Sequence, residues 1–207
     1  MWMLSIQYFT TQLMTALVWA NPYSIRLNTI SDLGNTACGI YNMQTVCSPL
    51  HNYMNASFIL LGLFIVAGSL LIHQEFRETR GSAAGFFCMA LAGVGTLVVG
   101  LFPENTISAL HIAGATLPFV FGNVAMLILG TTLPVPKLLK IYTVTSGFVG
   151  LAGLVLLLSK HYLGLGDGGM ERVTAYPQTI WLIAFGLYIS ANHYVKRRAS
   201  VMYRKKR

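Results

Sequence analysis

The segment PLHNYMNASFILLGLFIVAGSLLIHQ, Pro49–Gln74, decides the fold. It carries no Asp, Glu, Lys or Arg. An α-helix needs about 20 mostly apolar residues to cross the hydrocarbon core of a bilayer, and this run supplies them. Five more stretches repeat the pattern: Leu4–Ala20, Ala83–Phe102, Ser108–Leu133, Ile141–Ser159 and Pro177–Tyr194. None shows the strict alternation of a membrane β-strand. The expected fold is all-α: a polytopic membrane bundle of six transmembrane helices. It forms a single domain over residues 1–195, followed by a basic cytoplasmic tail over 196–207.

Composition agrees. The 207 residues are 55% apolar and 10% charged, with a mean hydropathy of +0.61. A soluble domain averages roughly 25% charged residues, so this chain cannot cover a globular surface with charge. A soluble enzyme, a disordered chain and a disulfide-stapled secreted domain are excluded. The net charge of +8 raises nucleic acid as a partner. However, seven of the 14 basic residues fall in the last 12 positions, from Lys196 to Arg207. A basic tail behind an apolar segment suits anionic lipid on the cytoplasmic side. No stacking aromatics accompany a basic groove, so no nucleic-acid partner is expected.

The same residues set the orientation. With both termini cytoplasmic, 11 basic residues face inward and Arg26, Lys160 and Arg172 face outward. That asymmetry fits the positive-inside rule, and the tail dominates it. The first span lacks a basic segment before its apolar run, and Val18-Trp19-Ala20 is a poor cleavage site, so it reads as a retained helix. Local signals suggest some helix starts: Ser48-Pro49 as cap and first residue, Ser108 as a cap, and Pro177 opening the sixth helix. Pro118, inside the fourth helix, should free the carbonyl of Gly114 and kink the chain. Ser146-x-x-x-Gly150 and the Gly114/Pro118/Gly122 face fit close helix packing.

Two outer segments are long. Asn21–Ser48 is polar, and Lys160–Tyr176 is glycine-rich. Such segments commonly carry function. Cys38 and Cys47 fall in the first of them, and on an oxidising face they would form a disulfide. Cys88 reads as a packing residue in the third span.

Polar groups at membrane depth are costly, so their placement is informative. The middle of the bilayer holds little beyond Asn123, whereas the outer helix ends hold Asp32, His51, Asn55, Glu104, His111, His161, Glu171 and Arg172. His51 and Asn55 share a helix face, being four residues apart. Together with Ser31, Asp32, His111, Glu171 and Arg172 they could form one outer pocket. In it Asp32 or His111 would be the general base, and Arg172 would bind an anionic group. Each residue also has a plain structural reading: an Asx-turn at Asp32, interfacial histidines, a Glu171–Arg172 ion pair. No metal is expected, since HxxxH, HExxH and CxxC spacings are missing. A Ser31–His111–Asp32 triad is the weaker enzymatic option, because adjacent Ser and Asp have difficulty reaching opposite sides of one imidazole.

Several segments resemble a known family. They are Tyr23-Ser24, Asn28-Thr29-Ile30-Ser31-Asp32-Leu33-Gly34, Cys47-Ser48-Pro49-Leu50-His51, Met54-Asn55-Ala56-Ser57-Phe58, His111-x-x-Gly114-Ala115 and Glu171-Arg172-x-x-x-Tyr176-Pro177. The chain from about Tyr23 to about Tyr194 resembles the domain of unknown function 998 family, multi-pass membrane proteins of bacteria and archaea. The resemblance implies a helical membrane fold in a prokaryotic plasma membrane, and it directs attention to these outer-face residues. It brings no established activity and no cofactor. The expected function is to bind or modify lipid or lipid-linked groups at the outer leaflet. The alternative is a non-enzymatic membrane component (partner subunit, assembly factor or sensor) with a protein partner in the membrane. A small transporter is disfavoured by the apolar midplane.

Overall fold

The computed structural model describes residues 1–76 and 78–205, with side chains through His193. Arg77 and the side chains of the expected basic tail lie outside the described residues. A short 3₁₀ turn, Trp2–Ser5, leads into α1 (Ile6–Leu17). A 3₁₀ turn at Ser31–Gly34 and a hairpin of β1 (Gly39–Tyr41) and β2 (Gln44–Val46) fill the first long loop. Then come α2 (His51–His73), α3 (Arg80–Leu101), α4 (Ser108–Thr132), α5 (Lys137–Leu158) and α6 (Gly166–Lys205). Helices α2 to α5 are each long and apolar enough to cross a membrane, the pattern of a multi-pass membrane protein.

Close approach holds the bundle together. A Cβ on Gly62 would lie 2.6 Å from the Gly93 carbonyl oxygen, and one on Gly93 would lie 2.9 Å from that of Gly62. Only hydrogen at both positions lets the α2 and α3 backbones meet. At one end of the bundle Trp2 is fully buried, and its indole N–H donates to the Ile65 carbonyl at 3.1 Å. Its ring lies 5.3 Å from that of Trp181 and 5.9 Å from that of Phe185. His193 lies 3.8 Å from Glu75 at the same end. The start of the chain and the later part of α6 therefore share the end that carries the α2–α3 connection. The opposite end carries the hairpin, the α3–α4 loop and the first turns of α6.

The structure corrects several expected boundaries. Pro177 lies inside α6, which begins eleven residues earlier at Gly166. Glu171 and Arg172 are therefore helical rather than loop residues. The glycines of the segment read as a loop, but Gly168 is in fact a packing position: a Cβ there would collide with the Asn28 carbonyl oxygen. Ser48 does not cap α2; its hydroxyl donates to the Leu33 carbonyl at 2.6 Å. Ser108 is the first residue of α4, with Ile107 at the cap. The expected first span is a 12-residue helix preceded by the 3₁₀ turn. At Pro118 the helix widens into a π-turn over Pro118–Gly122, and the Gly114 oxygen abuts Gly95. The hairpin was not foreseen. Asn42 and Met43 take φ of 46° and 61°, the left-handed pair of a two-residue type I′ turn.

Candidate functional site

The end of the bundle that carries the hairpin is organised by the segment Asn28–Gly34. Thr29 and Asp32 bond reciprocally: the Thr29 N–H donates to Asp32 Oδ2 at 2.9 Å, and the Asp32 N–H donates to Thr29 Oγ1 at 3.0 Å. Asn28 adds a donor to Asp32 Oδ2 at 3.2 Å. This is the local side-chain-to-backbone bonding that Asp and Thr favour in turns. Asn55 on α2 then ties the turn down, donating to the Gly34 carbonyl at 2.8 Å. The Ile30 N–H donates to Glu171 Oε2 on α6.

Glu104, in the α3–α4 loop, reaches the same turn. It accepts from Asn35 Nδ2 at 3.0 Å. Burial, together with the neighbouring Asp32 carboxyl, pushes the Glu104 carboxyl up to about 9, so it is protonated at neutral pH and bonds to Asp32. Asn105 and Thr36 bond reciprocally nearby, at 3.1 and 2.9 Å. Cys38 and Cys47 form a disulfide that brackets the hairpin, with Cα atoms 4.2 Å apart.

His111 lies in the first turn of α4 and is 6% exposed. Its Nδ1 is 2.8 Å from the Phe102 carbonyl oxygen, and its Nε2 is 3.0 Å from Ser31 Oγ. A carbonyl can only accept, so Nδ1 carries the proton and Nε2 presents a lone pair to the serine hydroxyl. The Ser31 hydroxyl also has Glu171 Oε1 at 3.4 Å, the longer of its two acceptors. The expected difficulty of a Ser31–His111–Asp32 triad is met without Asp32: the Phe102 carbonyl, not the adjacent Asp32, orients the ring. Ser31, His111 and Glu171 line a cavity of about 390 Å³. One flank of it is apolar, with Ile112, Phe119, Leu154 and Leu158, while Thr29, Glu104 and Ser108 add to its polar side. Asp32 does not line it.

Arg172 points the other way. Among the described residues it forms no ion pair, contrary to the expected carboxylate contact. Its Nη1 donates to the carbonyls of Asn28 and Gly168, both at 2.8 Å, and of Ile25 at 3.2 Å. Its Nη2 donates to the Tyr23 hydroxyl, and its Nε donates to that of Tyr176 at 3.2 Å. A planar fork is well suited to gathering loop carbonyls in this way. Burial pushes the Tyr23 phenol above its ordinary range, so it remains a hydroxyl and donates to the Thr29 carbonyl at 3.1 Å.

The sequence-selected residues therefore divide. Ser31, Asp32, Asn55, Glu171 and Arg172 all bond within or onto the Tyr23–Gly34 segment, and His111 joins through Ser31. His51 does not: its Nδ1 faces the Ser48 carbonyl oxygen at 2.8 Å. Among the described residues, no three His, Cys, Asp or Glu side chains are grouped to hold a metal ion. Glu104, named among the polar groups at the helix ends, and Tyr23, Asn28 and Tyr176, which fall in the segments that carry the family resemblance, were not assigned to the expected pocket. The available signal was position: a carboxylate in a short loop between two apolar spans, and tyrosines at the outer ends.

No curated protein and no solved structure matches the chain. Residues 5–188 match the family described as "Protein of unknown function (DUF998)". The match covers most of the chain, from the start of the first helix to the later part of α6. The protein belongs to that family of unknown function.

Proposed function

We propose that this is a plasma-membrane protein of the bacterial or archaeal type that binds a lipid or lipid-linked molecule from the outer leaflet and acts on it at Ser31 and His111. The observation that carries this reading is the relay Phe102 carbonyl, His111, Ser31 at the polar end of an apolar groove. The bundle crosses the membrane six times with both termini cytoplasmic. Helices α1 and α6 add the outermost crossings, and the 11-to-3 split of basic residues sets the direction. In this arrangement the groove between α4 and α5 opens towards the outer leaflet. An acyl or prenyl chain lies against Phe119 and Leu154 while its polar group meets Ser31.

The chemistry follows from the hydrogen bonds. His111 Nε2 accepts the Ser31 proton as Oγ attacks an ester carbon of the bound lipid. The same nitrogen then returns the proton to the departing alcohol, and water later releases the acyl group from Ser31. Asp32 and Glu104 hold the turn that presents Ser31; Asp32 does not line the groove, whereas Glu104 does.

A fluorophosphonate probe tests this on full-length protein in nanodiscs. Wild-type protein should become labelled at Ser31, and Ser31→Ala and His111→Ala proteins should not. Absence of label on folded wild-type protein, together with no lipid copurifying in the groove, sinks the reading in favour of a non-enzymatic membrane partner.

A further inference from the structure

A second groove, of about 660 Å³, runs along α1 on the side of the bundle that carries Arg172. It is lined by Phe9, Gln12, Leu13, Trp19, Arg172 and Tyr176, among others. Arg172 is the one charged side chain among the described residues that line it. Two side chains in this wall are more than nine-tenths buried and hold an N–H with no partner: Gln12 at 6% exposure and Trp19 at 8%. Buried donors are nearly always bonded, so two orphans in one groove wall point to a ligand.

The direction of the hydrogen bonds makes the wall a set of donors. Arg172 Nε can only donate, and it donates to the Tyr176 hydroxyl. The Tyr176 proton then goes to Gln12 Oε1 at 2.7 Å. This chain fixes the carboxamide, and its unpartnered end is the Nε2 amine. The indole of Trp19 has only N–H to offer. The unpartnered Gln12 Nε2 and Trp19 Nε1 belong to side chains that line this wall, enclosed behind its surface beside the guanidinium charge, with no carboxylate among the described lining residues. A ligand that fits must supply oxygen acceptors and negative charge. Leu13 and Leu17 flank the groove at 60% and 75% exposure, so its mouth is apolar and faces lipid. Trp19 and Tyr23, with ring centroids 5.1 Å apart, mark headgroup level, where Trp and Tyr concentrate.

We infer that the α1–α6 groove is a binding site for an anionic phospholipid of the outer leaflet. The phosphate oxygens accept from Gln12 and Trp19 beside the Arg172 charge, and an acyl chain runs along Phe9 and Leu13. The site is separate from the Ser31–His111 groove and does not depend on its chemistry; its place in the outer leaflet rests on the orientation proposed above.

Native mass spectrometry of the full chain, released from nanodiscs, tests the inference. Phosphatidylglycerol and phosphatidylcholine of identical acyl chains are compared at equal mole fraction, with inorganic phosphate as a third arm. Phosphatidylglycerol should be retained in preference to phosphatidylcholine. Trp19→Phe, which keeps an aromatic ring but removes the indole N–H, should weaken it by about tenfold or more, the loss expected for one hydrogen bond to a charged group. Gln12→Leu should do the same. If Gln12→Leu fails to fold, Trp19→Phe alone carries the comparison. Equal retention of the two lipids would overturn the inference, as would unchanged retention by Trp19→Phe. Displacement of the lipid by millimolar phosphate would instead mark a site for soluble anions and also overturn it.

Discussion

His111 Nε2 lies 3.0 Å from Ser31 Oγ, joining residues 80 positions apart. The contact is directional because the other ring nitrogen is already engaged by the Phe102 carbonyl. The two partners should therefore respond differently to truncation. His111→Ala leaves the Phe102 carbonyl without its partner and the Ser31 hydroxyl with only the longer contact to Glu171, and should cost about 1–3 kcal/mol. Ser31→Ala leaves the His111–Phe102 bond intact and should cost less than about 1 kcal/mol. Thermal unfolding in detergent measures both. A Ser31→Ala protein as unstable as His111→Ala would make the pair scaffolding rather than chemistry.

Gly34 and Asn55 form an interlocked pair. The Asn55 amide donates to the Gly34 carbonyl at 2.8 Å, and a Cβ on Gly34 would collide with the same carboxamide. Gly34→Ala and Asn55→Ala should each destabilise the protein by about 1–3 kcal/mol. Shortening Asn55 removes the atom that the new methyl would strike. The double variant should thus fall short of the sum by about 0.5–3 kcal/mol. Strict additivity would show that the two residues are not in contact.

The Cys38–Cys47 bond closes a ten-residue segment around the hairpin. Loop-closure entropy gives it about 2–3 kcal/mol. Cys38→Ser, Cys47→Ser and the double variant should all lower the thermal midpoint equally, since each removes the same bond. Of the three cysteines, only Cys88 should react with a maleimide under denaturing, non-reducing conditions. A second or third reactive thiol there would contradict the bond.

Glu104 gives the fold a pH dependence with a definite sign. Its carboxyl is raised from 4.5 to about 9 by burial and by Asp32. Between these values the folded protein binds a proton that the unfolded chain has lost, so this contribution to stability declines as pH rises. The thermal midpoint should fall from about pH 5 towards pH 9. Glu104→Gln supplies a permanently neutral group that can still accept from Asn35 and donate to Asp32. It should flatten that slope while leaving stability near pH 5 little changed. A wild-type midpoint that rises across this range would reverse the assignment.

Much of the bundle could be read from apolar length alone, because α2 to α5 are uninterrupted runs whose hydropathy outweighs every local signal. The start of α6 could not. Gly164, Gly166, Gly168 and Gly169 together with Pro177 spell a loop by propensity, and what makes the segment helical is tertiary. Gly168 packs on the Asn28 carbonyl, and Arg172 gathers three more-distant or same-helix carbonyls. The site shows the same division. Asp32, Asn55, His111, Glu171 and Arg172 stand out because ionisable or amide groups are rare in so apolar a chain. Their partners are mostly backbone: Phe102, Gly34, Ile30, Asn28. Backbone carbonyls carry no sequence signature, so neither the orienter of His111 nor the saturation of Arg172 could be read in advance.

Orientation can be tested with single cysteines in a Cys88→Ala background that keeps the native disulfide. Gly168, although at the hairpin end of the bundle, is a poor reporter, because any side chain there strikes the Asn28 carbonyl. Lys160 is better: it is exposed, and a non-glycine residue already occupies its φ of 58°. Lys137, exposed at the start of α5, reports on the opposite end of the same helix. The orientation proposed from the positive-inside asymmetry predicts Lys160 outside and Lys137 in the cytoplasm. A membrane-impermeant maleimide added to intact cells should therefore modify Lys160→Cys and spare Lys137→Cys until the membrane is opened. Both residues flank α5, so opposite reactivity also establishes that this helix crosses the bilayer. The reverse pattern would carry Ser31, His111 and Arg172 to the cytoplasmic face. The grooves would then meet inner-leaflet lipid, and the disulfide would sit in a reducing compartment, where it would not persist.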